Sequence, residues 1–120
     1  MHGTPRHYLF VCAANRNRSP TAADVFRALA TQAGLAIEVS SAGLSPLAER
    51  PVTKELADQA DLIFVMEDYM ARELETHYRQ DPAKIVCLDI PDMYYRDDPI
   101  LVHILKEALA PFVPQRQAAQ

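Results

Sequence analysis

At 120 residues, 49% of them hydrophobic, the chain can bury one core without disulfide or metal staples. A net charge of −4 argues against a general nucleic-acid binder, and no apolar run reaches membrane-spanning length. Two cysteines, at 12 and 87, make no metal pattern, and residues 1–7 lack a signal peptide's apolar region, so a reducing cytoplasm is the expected compartment.

In chain order, Tyr8-Leu9-Phe10-Val11 is short, apolar and β-prone, which predicts a buried strand. Ser19-Pro20 predicts a helix start, with serine as N-cap and proline at the first helical position. Phe26, Leu29, Ala30 and Ala33 follow at helical spacing, and Gly34 suits the stop. Ile37–Ser40 alternates as a second strand, Val52–Ala57 can form a short helix, and Leu62–Met66 is a third apolar run. A helix is expected over Tyr69–Tyr78, carrying Met70, Leu74 and Tyr78, and then a fourth strand over Lys84–Leu88. Asp98-Pro99 repeats the cap-then-proline signal; Ile100, Leu101, Ile104, Leu105, Ala108 and Phe112 give the last helix its stripe. Pro114–Gln120 reads as a frayed tail. This β-α-β alternation predicts one domain, residues 1–120 with a core over about 7–113. The expected fold is a three-layer α/β/α with a four-stranded parallel sheet.

The first strand leads into Val11-Cys12-Ala13-Ala14-Asn15-Arg16-Asn17-Arg18-Ser19-Pro20. A thiol, five intervening residues and a guanidinium can close around one tetrahedral oxyanion. The backbone N–H groups of Ala13, Ala14, Asn15, Arg16 and Asn17 would form an anion nest, with the helix adding its positive end. Arg18 can hold two phosphate oxygens through its planar fork. Cys12 would lie beneath the phosphorus as nucleophile, favoured as thiolate by the helix N-terminus and the arginine. Ser19 can donate its O–H to that thiolate. No metal or other cofactor is required, because Arg18 and the nest supply the positive charge. In open parallel sheets ligands bind beyond the carboxyl ends of the strands, where Cys12, Ser41, Glu67 and Asp92 would converge.

These residues resemble the low-molecular-weight protein tyrosine phosphatases, whose loop runs V-C-x-x-N-x-C-R-S-P. The chain matches at Val11, Cys12, Asn15, Arg18, Ser19 and Pro20 and carries Asn17 where most members have a second cysteine. Ser41-Ala42-Gly43 resembles the family's S-A-G, and Ala60–Met66 resembles its third strand. Ile90-Pro91-Asp92-Met93-Tyr94-Tyr95 resembles its I-P-D-P-Y-Y loop, with methionine for the second proline. The similarity spans roughly residues 7–113, with a stretch missing between Gly43 and Arg50, so the chain looks like a compact variant. The resemblance implies strand order 2-1-3-4 and a phosphocysteine mechanism with Asp92 as general acid, then base. It implies that Asn15 shapes the loop together with Ser41, and that Tyr94 and Tyr95 flank the pocket. A histidine often added to that network has no equivalent, since Leu47 or Ala48 falls near its place. The substrate implied is a phosphorylated protein or small aryl phosphate, and phosphate or a related oxyanion would occupy the loop.

Each role has a rival. Asp97 and Asp98 compete with Asp92, although Asp98 before Pro99 is more simply an N-cap. Arg16 can attract an acidic substrate or merely be solvated. Cys87 in its apolar strand reads as a core thiol, and His77 and His103 read as structural or surface residues. Protein-arginine phosphatase, arsenate reductase and a phosphate-binding module without turnover are the alternative functions on this fold. A reductase needs further cysteines, and Cys87 would lie two strands from Cys12, about 9–10 Å away.

Overall fold

The structure is a computed structural model that describes residues 6–114; the expectations for residues 1–5 and for the tail at 115–120 lie outside it. Four parallel strands form one sheet: β1 (His7–Cys12), β2 (Glu38–Gly43), β3 (Leu62–Val65) and β4 (Ile85–Cys87). Their order is β2-β1-β3-β4, as the family resemblance implies. Helices α1 (Arg18–Gln32), α2 (Lys54–Gln59), α3 (Asp68–His77) and α4 (Pro99–Leu109) complete the α/β fold. Because the first crossover runs opposite to the next two, right-handed connections put α1 on one face and α2 and α3 on the other.

β1 lies between two neighbours, and Tyr8 to Cys12 are all buried, which is why this stretch is continuously apolar rather than alternating. Tyr8 and Phe10 project to one face, where the Phe26 ring of α1 approaches them at 4.6 and 5.6 Å. Phe64, opposite Phe10 in the β1–β3 register, stacks on it at 4.8 Å, and Phe112 meets Phe64 edge-on at 5.1 Å. Leu9, Val11, Ile63 and Val65 point to the other face by strand alternation, the side on which α3 buries Met70 and Leu74.

Several boundaries differ from expectation, each for a local reason. Helix α1 begins at Arg18, not after Ser19, because Asn17 accepts the first helical bond from the Thr21 amide at 3.1 Å. Pro20 is therefore the third helical residue, still within the turn whose amides have no helical acceptor. The helix ends at Gly34 as expected. With φ at 72°, Gly34 donates to the Thr31 carbonyl, and Leu35 donates to that of Ala30, a Schellman closure. Thr53 caps α2 by accepting from Leu56, which moves that helix two residues on from Val52. Asp81 accepts from Ala83 and folds Pro82–Lys84 into a 3₁₀ turn, which shortens β4. The apolar line of α4 is Leu101, Leu105 and Leu109, all fully buried, whereas Ile100 is 62% exposed and Ile104 and Ala108 are half-buried. Among the described residues no helix is long and apolar enough to cross a membrane.

Candidate active site

The loop between β1 and α1 is built by backbone constraints that the sequence states only in part. Asn15 turns it with φ at 54°, a left-handed conformation that asparagine tolerates better than most residues. The segment after β2 then ties down its outer side. Leu44 donates to the Cys12 carbonyl at 3.0 Å, Ser45 to Ala13 at 2.9 Å and Glu49 to Ala14 at 3.2 Å. Those three bonds commit the Cys12, Ala13 and Ala14 carbonyls to the segment after β2. Gly43 permits this contact. A Cβ there would lie 2.6 Å from the Ala13 carbonyl oxygen and 2.6 Å from the Ala48 Cβ. Ala48 is buried and Leu47 is 91% exposed, so neither brings a polar side chain to the loop.

Cys12 lies at the carboxyl end of β1, nearly buried, with its Sγ 3.0 Å from the Ser19 Oγ. Ser19 does not cap the helix. Its hydroxyl also lies 2.9 Å from the Asn15 Oδ1, so one proton serves either the sulfur or the amide oxygen. Asn15 thus partners Ser19, in place of the Ser41 the resemblance implied. Ser41 stands in β2 opposite Phe10, half-buried. Asn17, the residue at the start of α1, makes no side-chain cap bond, which leaves the helix's first amides without that acceptor.

Arg18 is 3% exposed. Its Nη1 donates to the Glu67 Oε2 at 2.6 Å and to the Ile90 carbonyl at 2.7 Å, while its Nε stands 3.8 Å from the Asp92 Oδ1. Both short bonds use Nη1, so the Nε–Nη2 edge of the fork remains for an oxyanion. A cavity of about 150 Å³ opens here, lined by Cys12, Ala13, Ala14, Arg16, Asn17, Arg18 and Asp92.

The remaining candidates separate clearly. Asp92 is 68% exposed at the cavity edge. Asp98 accepts from the Ile100 amide at 2.8 Å and caps α4, and Asp97 is held through its backbone, its amide donating to the Thr21 Oγ1 at 3.0 Å. Tyr94 is half-buried against the core and Tyr95 is 82% exposed; neither is among the cavity walls. Arg16 reaches Glu49 at 3.6 Å with both side chains mostly exposed. Cys87 pairs in register with Val65, one strand beyond the neighbour of β1, and burial pushes its thiol above the ordinary range. Among the described residues no group of three or more His, Cys, Asp or Glu is placed to hold a metal ion. Sequence reasoning put Glu67 at the sheet edge but gave it no role, and it overlooked Thr21 and the packing of Gly43. An acidic residue directly after a strand that neighbours the arginine loop was the available signal for Glu67.

The family model for the low molecular weight phosphotyrosine protein phosphatases matches residues 7–54. No curated protein matches the chain significantly by sequence. Solved structures match it by shape. The tyrosine phosphatase Wzb from Escherichia coli K30, in complex with phosphate, is 21% identical with a TM-score of 0.75, over 91% of this chain and 96% of that one. Vibrio vulnificus Wzb, in complex with benzylphosphonate, is 23% identical with a TM-score of 0.73, over 92% and 98%. YwlE from Bacillus subtilis is 22% identical with a TM-score of 0.65, over 89% and 90%. Another structure of YwlE, described as an arginine phosphatase, is of a cysteine-to-serine mutant with a phosphorylated active-site serine. Residues 7–54 thus match the family model of the low molecular weight phosphotyrosine protein phosphatases, and over about 90% of its length the chain shares the fold of the Wzb structures.

Proposed function

We propose that the chain is a cysteine-dependent phosphomonoesterase, and that its substrate is a phosphotyrosyl protein. One observation carries the reading: the Cys12 sulfur, the uncapped start of α1 and the buried Arg18 fork meet at a single small cavity with Asp92 at its edge. The thiolate attacks phosphorus in line, and the bond from phosphorus to the leaving oxygen breaks as Asp92 delivers a proton to that oxygen. Arg18 and the loop amides hold the three equatorial oxygens as charge develops. Asp92, now a carboxylate, takes a proton from the water that attacks the phosphocysteine; inorganic phosphate leaves and the thiolate returns. Ser19 donates a hydrogen bond from its O–H to the sulfur whenever the sulfur is anionic.

Several observations support tyrosine over arginine. Among the residues that line the cavity Asp92 is the one carboxylate, so no acidic cluster is built there to receive a phosphorylated guanidinium. Tyr95, an exposed ring three residues beyond Asp92 in the same loop, is available to an aryl group that extends past the cavity walls. The Escherichia coli K30 tyrosine phosphatase Wzb has the same fold, as does Vibrio vulnificus Wzb, which holds benzylphosphonate. A reducing compartment, the cytoplasm, is where the Cys12 thiol would persist.

The test is turnover and binding in paired variants. Cys12→Ser should abolish aryl phosphate hydrolysis and keep phosphate or vanadate affinity, because the amides and Arg18 remain. Arg18→Ala should damage both. Near-normal hydrolysis by the serine variant would overturn the covalent mechanism. Phosphotyrosine, phosphoserine and phosphoarginine peptides assayed together decide the substrate, with phosphotyrosine expected to be cleaved fastest.

A further inference from the structure

The acid-bearing segment, residues 90–98, is anchored at both ends to the first turn of α1. At its start, Arg18 binds the Ile90 carbonyl at 2.7 Å. At its end, the Asp97 amide donates to the Thr21 Oγ1 at 3.0 Å, and Thr21 in turn donates to the Asn17 carbonyl at 2.7 Å. Thr21 is fully buried, and the Asn17 whose carbonyl it binds lines the cavity. Asp97 adopts φ of 62°, an uncommon conformation for a residue with a side chain, so this bend is maintained against a local preference. Two longer contacts also link the segment to α1: the Arg18 Nε stands 3.8 Å from the Asp92 Oδ1, and Arg96 pairs with Asp24 at 3.5 Å with both side chains about half-exposed, a kind of contact worth little.

We propose that Thr21 is a positioning residue: its hydroxyl latches the acid loop to the phosphate loop and thereby sets where Asp92 stands over the cavity. The inference rests on the assignment of Asp92 as proton donor. A hydroxyl is suited to the task because it accepts from one loop and donates to the other with a single atom. Valine fills nearly the same volume and can do neither. Loss of the latch removes the hydrogen bond that fixes the Asp97 bend, and misplacement of a reacting group by about 1 Å can cost about 10²-fold.

The experiment compares Thr21→Val, Thr21→Ser and Asp92→Asn on aryl phosphates of graded leaving-group quality, with phosphate affinity measured beside them. Thr21→Val should lose about 10- to 100-fold in kcat on the poorest leaving group. It should lose little on an activated ester and retain phosphate affinity, and Thr21→Ser should restore the poor-leaving-group rate. Amide hydrogen exchange supplies a readout independent of turnover: the Asp97 amide should lose protection in Thr21→Val and keep it in Thr21→Ser. Equal losses on all esters in Thr21→Val, or an unchanged rate on the poorest, would overturn the latch, provided Asp92→Asn shows the leaving-group dependence. If Asp92→Asn shows none, it is the acid assignment that fails. Should Thr21→Val not fold, Thr21→Ala takes its place in both measurements.

Discussion

Arg18 carries two neighbouring carboxylates with unequal claims. Glu67 binds it directly at 2.6 Å, whereas Asp92 stands 3.8 Å away and mostly in solvent. A charge buried to this degree needs a close partner, and breaking such a pair typically costs about 3–5 kcal/mol. Glu67 therefore serves to hold the guanidinium, and Asp92 is the carboxylate left for the proposed role of proton donor. The three aspartates of the acid loop can be told apart on this basis. Asp92→Asn should slow esters with poor leaving groups far more than activated ones, by about 10²–10⁴-fold at the extreme. Asp98→Asn should leave that dependence intact, since asparagine also caps helices, and change stability by less than about 1 kcal/mol. A series of aryl phosphates and a melting curve check both statements, and leaving-group dependence moving to the Asp98 variant would misassign the acid. Cys12 and Arg18 were legible because their spacing is a local property of the chain. Glu67 lies 49 residues from Arg18 and Thr21 lies 76 from Asp97, so both partnerships exist only once the sheet is assembled.

The elements show where local signals give way to tertiary ones. The Asp98 cap, the Gly34 stop and the apolar β1 run were read correctly because each rests on neighbouring residues. The start of α1 was misread because Ser19 has the composition of a cap, yet its hydroxyl is committed to Cys12 and Asn15. The α4 stripe was drawn too wide, since periodicity alone did not choose between Ile100 and Leu101, and it omitted Leu109. The segment from Leu44 to Glu49 read as a deletion, but it is the outer support of the phosphate loop. Gly43→Ala tests that support. The added methyl would meet backbone at 2.6 Å, which cannot swing aside as a side-chain tip can. The expected result is a loss of about 1–3 kcal/mol in stability, together with weakened phosphate binding, because relief of the clash moves Ala13 and Ala14. Thermal melting and phosphate titration measure the two effects. Normal phosphate affinity in a destabilised variant would mean that the loop holds its shape without this clamp.

At the scale of the whole molecule, the sheet separates the two thiols. β3 lies between β1 and β4, which puts Cys12 and Cys87 about 9–10 Å apart by strand spacing, beyond the reach of a disulfide without rearrangement. Burial also raises the Cys87 pKa, with a contribution from Asp68, so at neutral pH this thiol stays protonated and is a poor resolving nucleophile. Asn17 stands where the resemblance implies a second cysteine in most members, and an amide cannot trap an oxidised neighbour. Peroxide entering the cavity should therefore carry Cys12 to the sulfenic acid and, on longer exposure, to the sulfinic acid, which thiols do not reverse. Recovery of hydrolysis by dithiothreitol should fall as exposure lengthens, and saturating phosphate should protect by covering the sulfur. Activity recovery and the mass of the Cys12 peptide follow the same time course in this scheme. Full rescue after long exposure, with a Cys12–Cys87 crosslink in the spectrum, would require β4 to move. It would also reopen the arsenate reductase reading that the strand order otherwise opposes.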